Sequence, residues 1–186
     1  IKYASDYLTQ KKIDHIVTRE PGGTNFGESV RSILLDKNSD LDSLSEAMLF
    51  YASRVFNYNN IILKALNDNK YVICDRFHYS TLVYQGIAEN NETVIDLHKT
   101  LDSYFSEHIS LVFHLDASIE TCLNRIGSRE VSDKFEEQGE KFLIKIKTSY
   151  EKIFLENNKV TKILTDEDIS IVQKNIQKRL DVLINE

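Results

Sequence analysis

Short runs of β-branched and apolar residues alternate along the chain with longer segments in which apolar residues recur every three or four positions. The short runs predict four strands, at residues 13–18, 71–74, 111–115 and 160–164. The third run, LVFHL, is almost entirely apolar, which is typical of a strand covered on both faces. Such alternation predicts right-handed β-α-β crossovers, and therefore a three-layer α/β/α fold in which a parallel sheet has helices on both faces.

The longer segments predict amphipathic helices. A long polar helix is expected over about 137–156, and Asp168 is expected to cap the last helix. The first stripe begins at Ile1 itself, so we expect further chain to precede it. The predicted apolar stripes are Ile1, Ala4 and Leu8; Phe26, Val30, Ile33 and Leu34; Leu44, Met48 and Leu49; and Leu97, Leu101, Tyr104 and Phe105.

Charged residues follow three of the predicted strands at the point where each strand ends. REPGG begins at Arg19 after the first strand, Asp75 and Arg76 follow the second, and Asp116 follows the third. In open α/β sheets, ligands bind outside the carboxyl ends of the strands. These segments therefore predict the active edge of the sheet.

Composition limits the class of protein. With 186 residues, 41% of them hydrophobic, and a single proline, the chain is expected to form one domain over 1–186. A formal charge of −6 argues against a nucleic-acid-binding protein, and no apolar stretch is long enough to cross a membrane. Cys74 and Cys122 lie in apolar runs, as expected of buried thiols in a reducing compartment. A cytoplasmic protein is predicted.

The arginines indicate what binds at the active edge. The chain has seven arginines among its 23 basic residues, so most of the positive charge is lysine. A guanidinium is preferred where phosphate must be gripped by two hydrogen bonds, although a lone arginine is as often a surface ion pair. As a set, they predict a phosphorylated ligand. Six lie near strand ends or around Ser128: Arg19, Arg31, Arg54, Arg76, Arg125 and Arg129.

Four motifs, in this order and at this spacing, resemble the bacterial thymidylate kinases over essentially the whole chain. They are TREPGGT at 18–24, LFYASR at 49–54, DR at 75–76 followed by STLVYQG at 80–86, and residues 125–129 leading to DKFE at 133–136. The resemblance implies a P-loop NTPase-like nucleotide kinase. Its implied reaction is phosphoryl transfer from ATP to dTMP, giving ADP and dTDP for dTTP synthesis, with Mg²⁺.

The resemblance also implies a dTMP site. Phe50 would stack on thymine, Arg54 would donate to a base carbonyl, Arg76 would hold the phosphate, and Tyr84 would exclude a ribose 2′-hydroxyl. From spacing alone, a phenylalanine at position 50 is more often a core residue, and an arginine beside an aspartate, like Arg76, is more often in a salt bridge with a neighbouring acid. The other implied substrate residues are Glu20, Pro21, Arg31, Thr81 and Gln85.

A lid that closes over ATP is implied for about residues 125–137. Arg129 and Arg125 would contact the transferring phosphoryl group, and Asp75 completes the implied catalytic group. Glu136 would contact the nucleotide or its metal, or else belong to a solvated acidic face. Two lid positions at which family members often have arginine differ here: Gly127 and Lys134.

Other functions remain open on the sequence. No segment of the 186 residues matches the phosphate-binding pattern G-x-x-x-x-G-K-[ST], which family members have in their first loop, and we expect that loop to precede Ile1. Without it, the protein would be an inactive nucleotide-binding or assembly protein. A kinase for another nucleoside monophosphate is a further alternative. The resemblance implies a homodimer, for which Phe56-Asn57-Tyr58 is a candidate contact, or else core.

Overall fold

The computed structural model describes residues 1–128 and 134–185. Every strand boundary lies within two residues of the predicted one, and the α/β class is confirmed. The strands are β1 (His15–Arg19), β2 (Tyr71–Asp75), β3 (Val112–Asp116) and β4 (Val160–Leu164). The helices are α1 (Lys2–Gln10), α2 (Asn25–Leu35), α3 (Ser43–Asn57), α4 (Leu63–Asn67), α5 (His78–Thr81), α6 (Glu92–Ser106), α7 (Ile119–Gly127), α8 (Gly139–Phe154) and α9 (Ile169–Asn185). Wider π-helical turns cover Tyr58–Ile62 and Leu82–Ile87, and a 3₁₀ turn covers Glu136–Gln138.

The chain forms two compact units, Ile1–Asp102 and Ser103–Glu186. Each unit contains one parallel strand pair, β1 with β2 in the first and β3 with β4 in the second. In the first pair Arg19 lies opposite Asp75, so the carboxyl ends of the two strands meet, as predicted. The assignment of residues 1–186 to one domain stays a prediction.

The first unit has a core that the hydrophobic pattern predicts only in part. Ala4 and Leu8 of α1 and Val30 and Leu34 of α2 are buried, as expected. The predicted α3 stripe is wrong, because Met48 is 55% exposed. That helix instead buries Ala47 and Tyr51 together with polar side chains, which a hydrophobic periodicity cannot detect: Glu46, Ser53, Arg54 and Asn57.

Helix caps in both units follow the residue types that favour them. Thr24 accepts a hydrogen bond from the Gly27 N–H at the start of α2. Asp168 accepts from the Ser170 N–H at 2.8 Å, which confirms the predicted cap of the last helix. In the part of the chain described, no helix is long and apolar enough to cross a membrane.

The second unit is held together at the end of β3 by an ion-pair network. Asp116 is buried and pairs with Lys147 of α8 and with Lys162 of β4, the latter at 2.7 Å. Burial alone would raise the pKa of Asp116, but the two ammonium groups outweigh it and hold that pKa below its usual value. The carboxylate therefore stabilises the folded state fully above its unfolded pKa, and this contribution is lost as the pH falls through the lower folded pKa.

We expect Asp116→Asn to lower the free energy of unfolding by about 1–3 kcal/mol near pH 7, because both lysines lose their buried anion and keep only the more exposed Glu151, at 3.6 and 3.4 Å. The loss of stability that wild-type protein shows below about pH 4 should be smaller in the variant. Urea unfolding from about pH 7 to about pH 3 measures both effects. Glu156→Gln removes an exposed carboxylate from the same unit and is the control. If the free energy of unfolding changed with pH in the same way for wild type and Asp116→Asn, the Asp116 ion pairs would not be the source of the acid destabilisation.

Candidate active site

A buried ion pair lies where β1 ends. Glu20 follows the last residue of β1, and Arg54 projects from α3; their side chains are 2% and 1% exposed. Arg54 donates from Nε to Glu20 Oε2 at 2.5 Å, from Nη1 to Thr81 Oγ1 at 3.0 Å, and from Nη2 to the Phe77 carbonyl at 3.3 Å. A guanidinium has five N–H groups, so these bonds occupy three of them and fix its plane.

Asn57 completes this buried network. Its Nδ2 donates to Glu20 Oε1 at 3.3 Å, and its Oδ1 accepts from the Thr18 hydroxyl at 3.1 Å. Burial raises the pKa of Glu20, while Arg54 and Asn57 act to lower it. Asn57 was not predicted as part of the site, although it lies three residues after Arg54 and therefore on the same helix face, which was the available signal.

The turn after β1 depends on glycine. Gly23 has a φ of 75°, which favours residues without a Cβ. A Cβ at this position would lie 2.8 Å from Asn57 Oδ1 and would collide with the Thr18 hydroxyl. The backbone therefore packs directly against the buried network.

Two side chains of α2 hold the same turn. Arg31 donates from Nη1 to the Pro21 carbonyl at 3.1 Å. Glu28 accepts from the Gly23 N–H at 3.1 Å and pairs with Arg19 at 2.8 Å. These bonds fix the turn beside Glu20, and Arg19 is a partly exposed ion pair, as an isolated arginine often is.

The loop after β2 brings the predicted phosphate and sugar contacts together. The Arg76 guanidinium lies over the Tyr84 ring, 5.2 Å from its centroid. Arg76 has a φ of 64°, an uncommon backbone conformation for a residue with a side chain, and such residues cluster at functional sites. The exposed carboxylate of Asp75 makes no hydrogen bond or ion pair within the described residues.

Of the predicted base contacts, Thr81 bonds directly to the Arg54 guanidinium. Phe50 is half-buried on α3, one turn before Arg54. Thr81 is buried, and because its hydroxyl accepts from Arg54, its own hydrogen is left to donate. Gln85 is also buried and donates to Glu46 at 2.9 Å. Contact of these side chains with a base stays a prediction.

A second polar cluster, not predicted from the sequence, adjoins this network. His78 Nε2 lies 2.9 Å from Asp102 Oδ1, and the rings of His78 and His98 stack at 5.1 Å. Burial lowers the pKa of His78 to about 2 and that of His98 to about 4. The Tyr51 hydroxyl lies 3.2 Å from His98 Nδ1, and the Tyr51 ring lies against Arg54.

The predicted lid is described in part. Arg129 lies outside the described residues. Arg125, at the end of α7, donates to the Thr165 hydroxyl at 3.1 Å and to the Thr165 carbonyl at 2.6 Å, so it joins this helix to the loop after β4. Glu136 is half-buried in the 3₁₀ turn. Their roles toward ATP stay predictions.

Comparison with known proteins shows the family to which the chain belongs. The profile of the family described as thymidylate kinase matches residues 1–176. Thymidylate kinase of Legionella pneumophila (strain Paris) is 35% identical over 183 residues, which are 96% of this chain and 85% of the relative. That of Neorickettsia sennetsu is 34% identical and covers 96% and 89%, and that of Thermosipho africanus is 34% identical and covers 93% and 90%. The chain therefore belongs to the thymidylate kinase family and has the P-loop kinase fold, as its motifs predicted.

Proposed function

We propose that this protein transfers the γ-phosphoryl group of ATP to dTMP, forming ADP and dTDP. Family membership over most of the chain supports this reaction. The structural observation that supports it most directly is the Arg54 guanidinium. It is held by three hydrogen bonds at the end of β1, and its two other N–H groups would reach a base carbonyl once the groups that leave it 1% exposed move aside.

The other residues of the first unit fit the same acceptor. Phosphoryl transfer requires alignment of the two nucleotides and cations on the phosphate oxygens, with little covalent chemistry from the protein. Arg76 would hold the dTMP phosphate, and Tyr84, against which it lies, would exclude a 2′-hydroxyl. Arg125 and Arg129 would neutralise the transferring group from the lid.

Mg²⁺ belongs to the proposal as well. This ion is bound through one or two carboxylates together with waters and substrate phosphates. Asp75 fits that pattern, because its carboxylate is exposed at the end of β2 and has no hydrogen-bonding partner among the described side chains. Bound there, the ion would neutralise developing charge on the phosphoryl oxygens.

The reaction is tested by two measurements on the same protein. Isothermal titration with dTMP, dUMP, UMP and dGMP measures acceptor binding, and a coupled assay of ADP release measures transfer from ATP. We expect dTMP to bind most tightly, ahead of dUMP by about tenfold or more, since one methyl group gives discrimination of that order. Equal binding of all four nucleotides would contradict a thymidylate site. Selective dTMP binding without any transfer would instead favour the inactive nucleotide-binding protein.

We also propose a homodimer that uses α2 and α3. Phe26 and Phe56 form an exposed aromatic pair, 5.3 Å between centroids, and Ile33 and Met48 are exposed on the same two helices. Exposed apolar groups of this kind mark protein contacts. Of the predicted contact stretch, Phe56 is exposed, whereas Asn57 and Tyr58 belong to the core.

A cytoplasmic location stays a prediction.

Phe56→Glu is expected to convert the dimer into a monomer, because it places a charge in the apolar contact. Light scattering after gel filtration measures the mass of each form. Leu155→Glu, at a position that is 82% exposed in the second unit, should leave the dimer intact. A Phe56→Glu protein that remains dimeric would place the interface elsewhere.

A further inference from the structure

Three side chains that commonly bind metals meet in the first unit, outside the residues assigned to dTMP. His78 begins α5, while His98 and Asp102 lie one turn apart on α6. One ligand atom from each lies within 4.8 Å of the other two. Both imidazoles are buried, and the Asp102 side chain is 42% exposed. A cation at this point would therefore be enclosed by the two rings and reached from solvent beside the carboxylate.

The distances suit a tetrahedral ion. Asp102 Oδ1 lies 2.9 Å from His78 Nε2 and 3.8 Å from His98 Nε2. A tetrahedral Zn²⁺ with bonds of about 2.0–2.1 Å places its ligand atoms about 3.3–3.4 Å apart. The two observed distances lie on either side of that value. The His78 and His98 rings are stacked, with an angle of 13° between their planes, so one ring must also turn for both in-plane lone pairs to reach the ion. The fourth position would be left for water.

An outer hydrogen bond orients His98 for this role. The Tyr51 hydroxyl lies 3.2 Å from Nδ1, on the side of the ring away from Asp102. Because Nε2 is 3.8 Å from the carboxylate, beyond hydrogen-bond distance, the ring hydrogen is best placed on Nδ1. The Nε2 lone pair is then left for a cation. Metal-binding histidines generally have such a partner on their second nitrogen, since it fixes the tautomer and the ring orientation.

We propose that His78, His98 and Asp102 form a binding site for one divalent transition-metal ion of the Zn²⁺ class. Two imidazoles and a carboxylate are ligands that Zn²⁺ and Co²⁺ accept, whereas Mg²⁺ prefers oxygen ligands alone. The site is thus distinct from the magnesium position proposed at Asp75. Binding requires the His78 Nε2 hydrogen, now shared with Asp102, to move to Nδ1. Arg54 contacts both Tyr51 and Phe77, and these two residues separate it from the proposed metal site.

The test is a titration of metal-free protein with Co²⁺ in the absence of nucleotide. One equivalent should give the visible absorption of tetrahedral cobalt, which Zn²⁺ should abolish and Mg²⁺ should leave unchanged. Asp102→Asn keeps an oxygen to accept from His78 but removes the anionic ligand, and His98→Gln removes one imidazole. Each is expected to weaken Co²⁺ binding by more than about tenfold, the lower limit found for lost outer partners alone.

Asp96→Asn is the matched control, since it removes an exposed carboxylate from the same helix. Its cobalt spectrum and affinity should equal those of wild type. Circular dichroism establishes that each variant is folded, and if the buried His98→Gln change unfolds the chain, the partly exposed Asp102→Asn decides the matter. Absence of a tetrahedral cobalt spectrum in wild type would overturn the proposal. So would an unchanged affinity in Asp102→Asn, because the ion would then bind elsewhere.

Discussion

Replacing Arg54 with methionine is expected to lower the free energy of unfolding by about 3–5 kcal/mol, because it leaves a buried carboxylate without its cation. The Glu20 and Arg54 side chains are 2% and 1% exposed, so water cannot replace the lost partner. The melting temperature of a protein of this size should fall by about 6–20 °C. Urea and thermal unfolding measure the two quantities.

The pH dependence of this variant identifies the cause. Burial already raises the pKa of Glu20, and removal of Arg54 takes away the largest opposing influence. A carboxyl whose folded pKa lies above its unfolded value destabilises the fold as the pH rises through these two values. The deficit of Arg54→Met should therefore be larger near pH 7 than near pH 4.

Two further variants separate the ion pair from simple loss of packing. Adding Glu20→Gln to Arg54→Met should recover part of the stability, because the remaining group is then neutral. Arg19→Met removes a partly exposed ion pair with Glu28 and should cost about 1 kcal/mol or less. If Arg54→Met were no more harmful than Arg19→Met, the buried pair would not be the centre of this network.

The strands could be predicted from the sequence because each is a short run rich in β-branched and apolar residues between polar turns. Helix α3 shows why the buried faces of the helices could not be predicted in the same way. Its buried face contains Arg54 and Asn57, while Met48 is exposed. A hydrophobic pattern assumes that polar residues face water, and this assumption fails where a polar network forms the core.

For the site, the sequence located the arginines but not their partners. Charged residues after β1 and β2 had to meet, because the ends of paired parallel strands lie side by side. What each arginine binds depends on contacts within a few ångströms between residues that are far apart in the sequence. Arg19 pairs with Glu28, Arg125 with Thr165, and Arg54 with a carboxylate as well as with Thr81.

The histidine cluster was out of reach of sequence reasoning for a related reason. His78 and His98 are twenty positions apart, on different helices, so no local spacing in the sequence links the two rings. Their rings stack only because α5 packs against α6. The i,i+4 pair of His98 and Asp102 was visible in the sequence, but such pairs are common on exposed helix faces.

Arg76→Ala is expected to lower kcat/KM for dTMP by about 10- to 150-fold, which corresponds to the loss of a charge-assisted hydrogen bond of 1.5–3 kcal/mol. The side chain is exposed, so the fold should survive. Arg76→Lys keeps the charge but not the planar fork and should have intermediate activity. The coupled assay with dTMP varied at saturating ATP measures both variants.

Lys12→Ala is the matched control for this effect, because Lys12 is an exposed cation with a φ of 60°, close to the 64° of Arg76. Its activity should equal that of wild type. Arg76 is assigned to the phosphate, which dTMP and dUMP share, so Arg76→Ala should reduce activity toward both by the same factor. A loss confined to dTMP would mean that Arg76 senses the base, and its position over the Tyr84 ring would then have to be reinterpreted as part of the thymine contact.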